Sequence, residues 1–96
     1  MKKYEMMFIV KSTVEESTAN ATVDNMKAIV TDMKGEITKF DSLGNKKLAY
    51  PIKKEVTGTY YVMYFDATNE IIAELDRKAR IDESILRHLI IKLDEE

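Results

Sequence analysis

Four lysines in the stretch GNKKLAYPIKK, Gly44 to Lys54, set the chemistry this chain can do: Lys46, Lys47, Lys53 and Lys54. No acid lies among them, and they surround Leu48, Tyr50 and the only proline, Pro51. Ammonium groups at this density suit phosphate oxygens, and the Tyr50 ring offers a face for a nucleobase or a partner side chain. Lysine and proline also protect an edge strand from pairing with other chains. That use explains any one of these lysines but explains four without an acid less well, because interspersed charges serve solubility better. Lys2, Lys3, Arg87 and Lys92 are the other cations placed to join a phosphate-binding surface.

Catalysis has little to work with. The chain has no cysteine, so disulfides, thiolate nucleophiles and cysteine metal sites are excluded together. His88 is the only histidine, which rules out a multi-histidine metal site within one chain. It stands among Leu86, Leu89, Ile90 and Ile91 and reads as a packed structural residue. Asp82-Glu83 reads as a turn rather than a catalytic carboxylate pair, and Gly35, Gly44 and Gly58 form no phosphate-binding pattern. The expectation is a protein that is not an enzyme, with no catalytic residue, no metal, no cofactor and no small-molecule substrate.

Ninety-six residues, 45% hydrophobic and 33% charged, make one soluble globular domain over 1–96, with a short acidic tail at 94–96. No apolar run approaches the ~18 residues of a membrane span. No signal peptide is legible, so a cytoplasmic protein without a membrane partner is expected. The net charge of −2 argues against indiscriminate nucleic-acid binding. Its distribution is uneven: Met1 to Gly58 holds ten lysines against eight acids, and Thr59 onward holds five cations against nine acids.

The hydrophobic period then gives the elements that must position these groups. Lys3 to Val10 predicts a buried strand. Ser12 with Glu15, or Thr13 with Glu16, fits a capping box opening a helix with the stripe Val23, Met26, Val30 and Met33. Gly35 is expected to supply the left-handed stop. Glu36 to Lys53 predicts an edge strand, single or kinked at Gly44-Asn45, because Pro51 cannot donate to a ladder. A turn is expected at Gly58, then a strand over Thr59 to Asp66. Asn69 is expected to cap a second helix with Ile71 or Ile72, Leu75 and Ala79 inward. Ile85 to Leu93 closes the chain as a strand.

This β-α-β-β-α-β order predicts the ferredoxin-like α+β sandwich: a four-stranded antiparallel sheet with both helices on one face. The first and third strands are expected at the centre, with the second and fourth at the edges. Alternation assigns Tyr4, Met6, Phe8, Tyr61, Met63 and Phe65 to the core. It leaves Met7, Ile9, Tyr60, Val62 and Tyr64 on the uncovered face as an apolar contact surface.

At this point the chain resembles a family. Met1-Lys2-Lys3-Tyr4-Glu5 and the run from Gly44 to Ile52 resemble bacterial small-subunit ribosomal protein number six, and the likeness runs end to end. That resemblance implies a structural constituent of the small ribosomal subunit. Its expected partners are the central domain of the small-subunit ribosomal RNA and small-subunit ribosomal protein number eighteen. It further implies that Lys2, Lys3, Lys54, Arg87 and Lys92 face RNA, Lys53 belonging with them by its place in the lysine window. Lys46, Lys47, Leu48 and Tyr50, with Tyr60 and Tyr64 of the open face, are expected to contact the partner protein or RNA. Lysine stands where the family favours arginine, which keeps the charge and loses the bidentate fork. Some relatives receive added glutamates at the C-terminus, and Glu95-Glu96 is compatible with that. Two rivals follow from the fold alone. One is a regulatory or ligand-binding module that dimerises through its open sheet face. The other is a small hydrolase of the acylphosphatase type, which needs an arginine in the first loop that Lys11-Ser12-Thr13 does not supply.

Overall fold

The computed structural model describes residues 1–93, so the acidic tail at 94–96, and with it the expectation of added glutamates, lies outside the described residues. Six elements follow one another: β1 (Lys2–Lys11), α1 (Glu16–Asp32), β2 (Glu36–Ile52), β3 (Glu55–Ala67), α2 (Asn69–Ile81) and β4 (Ile85–Lys92). The strands form one antiparallel sheet in the order β2-β3-β1-β4. This is the expected ferredoxin-like sandwich, with β1 and β3 central. Both crossovers are helical because each β-α-β step must return over the same face of the sheet.

The core lies between the helices and one face of the sheet. Met6, Phe8, Val10, Met63 and Phe65 meet Val23, Met26 and Val30 of α1 and Ile71, Leu75 and Ala79 of α2. Both helical stripes run at spacings of three and four, which is why one face of each helix is apolar. Ile71, fully buried, and not the half-buried Ile72, carries the inward position. Met33 does not join the stripe: it is the C-cap residue of α1 and is exposed.

The ends of the elements differ from the sequence reading in four places. Helix α1 starts after Glu15 with no side-chain cap. Ser12 and Thr13 serve the β2–β3 hairpin instead: Asn45 Nδ2 donates to the Ser12 hydroxyl, and the Thr13 hydroxyl donates to Glu55. The left-handed residue ending α1 is Lys34 (φ 69°), not Gly35. The Gly35 N–H reaches Val30 O at 2.7 Å and the Lys34 N–H reaches Thr31 O at 3.1 Å, the paired bonds of a Schellman stop. Gly35 is needed for space, since a Cβ there would stand 2.7 Å from the Asp66 carbonyl. Helix α2 is capped by Thr68, whose hydroxyl accepts from the Ile71 N–H, and not by Asn69.

The fourth difference is the turn between β2 and β3. It falls at Lys53-Lys54, with φ of 50° and 67°, and Gly58 is already inside β3. Two successive positive φ values match the twist of a two-residue hairpin. Gly58 sits where the hairpin crosses the end of β1, and a Cβ there would come within 2.4 Å of Ile9 Cγ2. Strand β2 is one element, but its register shifts at Ile37/Lys39, Ser42/Gly44 and Lys47/Ile52. Pro51 lies in the last of these irregular stretches, where no ladder bond is asked of it.

Candidate nucleic-acid interface

The uncovered face of the sheet is built from three strands in register. Tyr60, Val62 and Tyr64 of β3 lie opposite Ile9, Met7 and Glu5 of β1, which in turn face Arg87, Leu89 and Ile91 of β4. No helix covers this face, so the tyrosines stand away from the helices as alternation requires. Leu89 and Ile91 are 48% and 43% exposed, an apolar strip along the β4 edge of this face.

Two of the five residues of the expected strip are closed. Ile9 and Val62 are buried, at 4% and 8%. Ile9 packs with Leu48 and Leu86 in a second small core, flanked by Ile52 and Tyr60. The physical cause is the length of β2: it runs past the end of β1 and, with its register shifts, bends the hairpin back over the open face. Leu48, expected as a partner contact, is 7% exposed and holds the hairpin down rather than offering its side chain outward.

The same bend makes a contact across the whole sheet. Arg87 Nη1 of β4 donates to the Tyr50 hydroxyl of β2 at 2.7 Å, although β3 and β1 separate the two strands. Around it the lysine cluster is open. Lys46, Lys47, Lys53 and Lys54 are exposed, and none forms an ion pair among the described residues. Lys46 Nζ lies 5.9 Å from the Tyr60 ring centroid and Lys39 Nζ lies 6.0 Å from that of Tyr64, so both tyrosine faces already meet cations.

The terminal cations do not join this group. The register pairs Tyr4 with Lys92 and Ile9 with Arg87, so Lys2, Lys3 and Lys92 gather at one end of the sheet and Arg87 stands at the other. Five residues of strand separate Arg87 from Lys92, about 16 Å at strand rise. Alternation also turns Lys92 toward the helix side, into a groove with Tyr4, Ile72 and Asp76. The sheet therefore has two basic ends with the apolar strip between them on the open face, Lys92 standing on the helix side of the far end.

His88 is structural. Its Nε2 lies 2.8 Å from Asp76 Oδ1 of α2, tying the helix to the edge strand. That hydrogen bond is the main reason the Asp76 carboxyl is held below its ordinary value. The Arg80 charge adds to the effect, and burial opposes it. Arg80 itself went unnoticed in the sequence, since a cation in the last turn of a helix has a sufficient role in answering the helix dipole. No helix of the described residues is long and apolar enough to cross a membrane.

This fold, with both helices on one face of a four-stranded antiparallel sheet and the opposite face open and bordered by cations, places the chain among ferredoxin-like α+β proteins. Residues 3–92 match the model of the family described as ribosomal protein S6, and the chain belongs to that family. Small ribosomal subunit protein bS6 of Campylobacter jejuni is 45% identical over 94 residues, covering 98% of this chain and 75% of the relative. The corresponding protein of Campylobacter concisus is also 45% identical, over 98% of this chain and 68% of its own length. The crystal structure of 30S ribosomal protein S6 from Thermotoga maritima superposes with a TM-score of 0.90 at 33% identity, covering 96% of this chain and 87% of that one. These relatives are structural proteins of the ribosome and not enzymes.

Proposed function

We propose that this protein is a ribosome-bound structural constituent of the small subunit that binds the central domain of its RNA jointly with small-subunit protein number eighteen. The observation that carries the reading is the β2–β3 hairpin. It presents four lysines with no ion pair among the described residues, two of them at positive φ. A lysine in the left-handed region costs on the order of 1 kcal/mol, which Asn-Gly would avoid. Keeping two cations at that cost fits a surface kept for phosphate. The apolar strip at Leu89 and Ile91 suits a protein neighbour, and the basic ends suit RNA.

The net charge of −2 leaves the long-range attraction to RNA weak. A basic partner touching both surfaces raises affinity by effective concentration, without a new contact in this chain. Titration of a central-domain RNA fragment with this protein alone, and then with the partner present, tests the reading. Binding that is barely measurable alone and tight with the partner is the expected result. Tight, salt-insensitive binding without the partner overturns it. A concentration-dependent homodimer with no RNA affinity would point instead to the regulatory module.

A further inference from the structure

We infer that the cleft between the hairpin tip, the last turn of α2 and the start of β4 seats a single phosphodiester group of RNA, with Arg80 as one of its contacts. This deepens the RNA-binding reading above and rests on it. The cleft holds about 300 Å³ and is lined by Lys53, Arg80 and Arg87, with His88 and the apolar Leu86 among the residues behind them. At ~30 Å³ per water that is room for about ten waters, enough for a tetrahedral phosphate that keeps part of its hydration.

Three cations, from the hairpin turn, α2 and β4, converge there, and no carboxylate lines the space. Each has an independent reason for its placement. Lys53 is the first residue of the left-handed turn, at φ 50°. Arg87 is steadied by its bond to the Tyr50 hydroxyl. Arg80 is anchored by Nη2 on Asp76 Oδ2 at 3.1 Å and by Nε on the Asp76 carbonyl at 3.4 Å. Asp76 itself lines the groove on the other side of His88, with Tyr4 and Lys92. The His88 Nε2–H donates to the Asp76 carboxylate, so the Nε2 side of the ring is taken up away from the cleft. Lys53 and Arg87 have no ion pair among the described residues, and with Arg80 they surround one space that an anion with several acceptor oxygens can bridge through charge-assisted hydrogen bonds. The phosphate can come from an RNA backbone or from free phosphate, and the two sources are separable by experiment.

The test compares wild type, Arg80→Gln and Arg77→Gln. Arg77 serves as control because it lies on α2 outside the cleft, engaged by Glu74. Affinity for the central-domain RNA fragment, with the partner protein present, is measured across a series of KCl concentrations. R80Q is expected to weaken binding about fivefold at low salt and to lower the log–log salt slope by about one, with R77Q unchanged. In parallel, the Nε–H signals of Arg80 and Arg87 in the wild-type protein are followed by NMR during additions of RNA and, separately, of inorganic phosphate. These signals decide the matter even if R80Q proves unstable, and they should shift and saturate with RNA. RNA binding by wild type with R80Q unchanged in affinity and slope, and with unmoved Arg80 signals, overturns the phosphate seat alone. Failure of wild type to bind RNA even with the partner overturns the broader reading along with it. Saturation by inorganic phosphate without any response to RNA marks a free-phosphate site and refutes the RNA assignment.

Discussion

Tyr50 and Arg87 lie 37 positions apart and meet at 2.7 Å, a contact that fixes where a guanidinium points. Tyr50 is 57% exposed, so its hydroxyl contributes little to folding and much to the orientation of its partner. Tyr50→Phe should change unfolding stability by less than about 1 kcal/mol. It should weaken RNA binding by a few-fold, read as a Kd at fixed salt. A larger loss of stability with unchanged RNA affinity would make the contact purely structural. Asp76 allows a second prediction at this scale. Its carboxyl is depressed from 3.8 chiefly by the His88 hydrogen bond, so its stabilising effect is present above that value. The effect fades as pH falls through the lower folded-state value, because the protonated acid no longer favours the native state. Asp76→Asn should therefore be less stable than wild type at pH 7, with the gap narrowing in urea unfolding only as pH falls below 3.8. A gap that does not vary with pH would contradict this.

At the scale of elements, the hairpin and the end of α1 explain what local patterns reveal and what they do not. The long β2 strand and its proline were legible from composition, as was its place at a sheet edge. Its turn was not, because Gly58 resembles a turn residue while the true turn, Lys53-Lys54, breaks the usual preference for Asn-Gly. Gly58 is required instead by Ile9, which would stand 2.4 Å from an added Cβ. Gly58→Ala should destabilise the protein by about 1–3 kcal/mol, the cost of overpacking a well-filled site, measured by chemical denaturation. Lys34→Gly should act in the opposite direction and stabilise by about 1 kcal/mol, since φ of 69° suits glycine. The capping box failed for a related reason: Ser12 and Thr13 found partners in Asn45 and Glu55, far away in sequence.

Across the whole molecule, the helix layer covers one side of the sheet, and the lysine-bearing hairpin bends over the other. The apolar strip at Leu89 and Ile91 lies between the two basic ends. Leu89→Ser removes an exposed side chain, so stability should stay within about 0.5 kcal/mol of wild type. Association with the partner protein should fall by tenfold or more, measured by calorimetry. Unchanged association would place the partner elsewhere. The sequence alone determined the order of elements, most of the inward positions of both helices and central strands, and the residue types available for phosphate. Periodicity and turn chemistry act over a few residues, so one chain suffices to read them. Only the tertiary structure decided that Ile9 and Leu48 are buried together, that Arg87 reaches Tyr50, and that Arg80 shares a cleft with Lys53. These depend on how bulges bend a long hairpin across strands that pair with distant segments, a curvature set by packing and not by any local pattern.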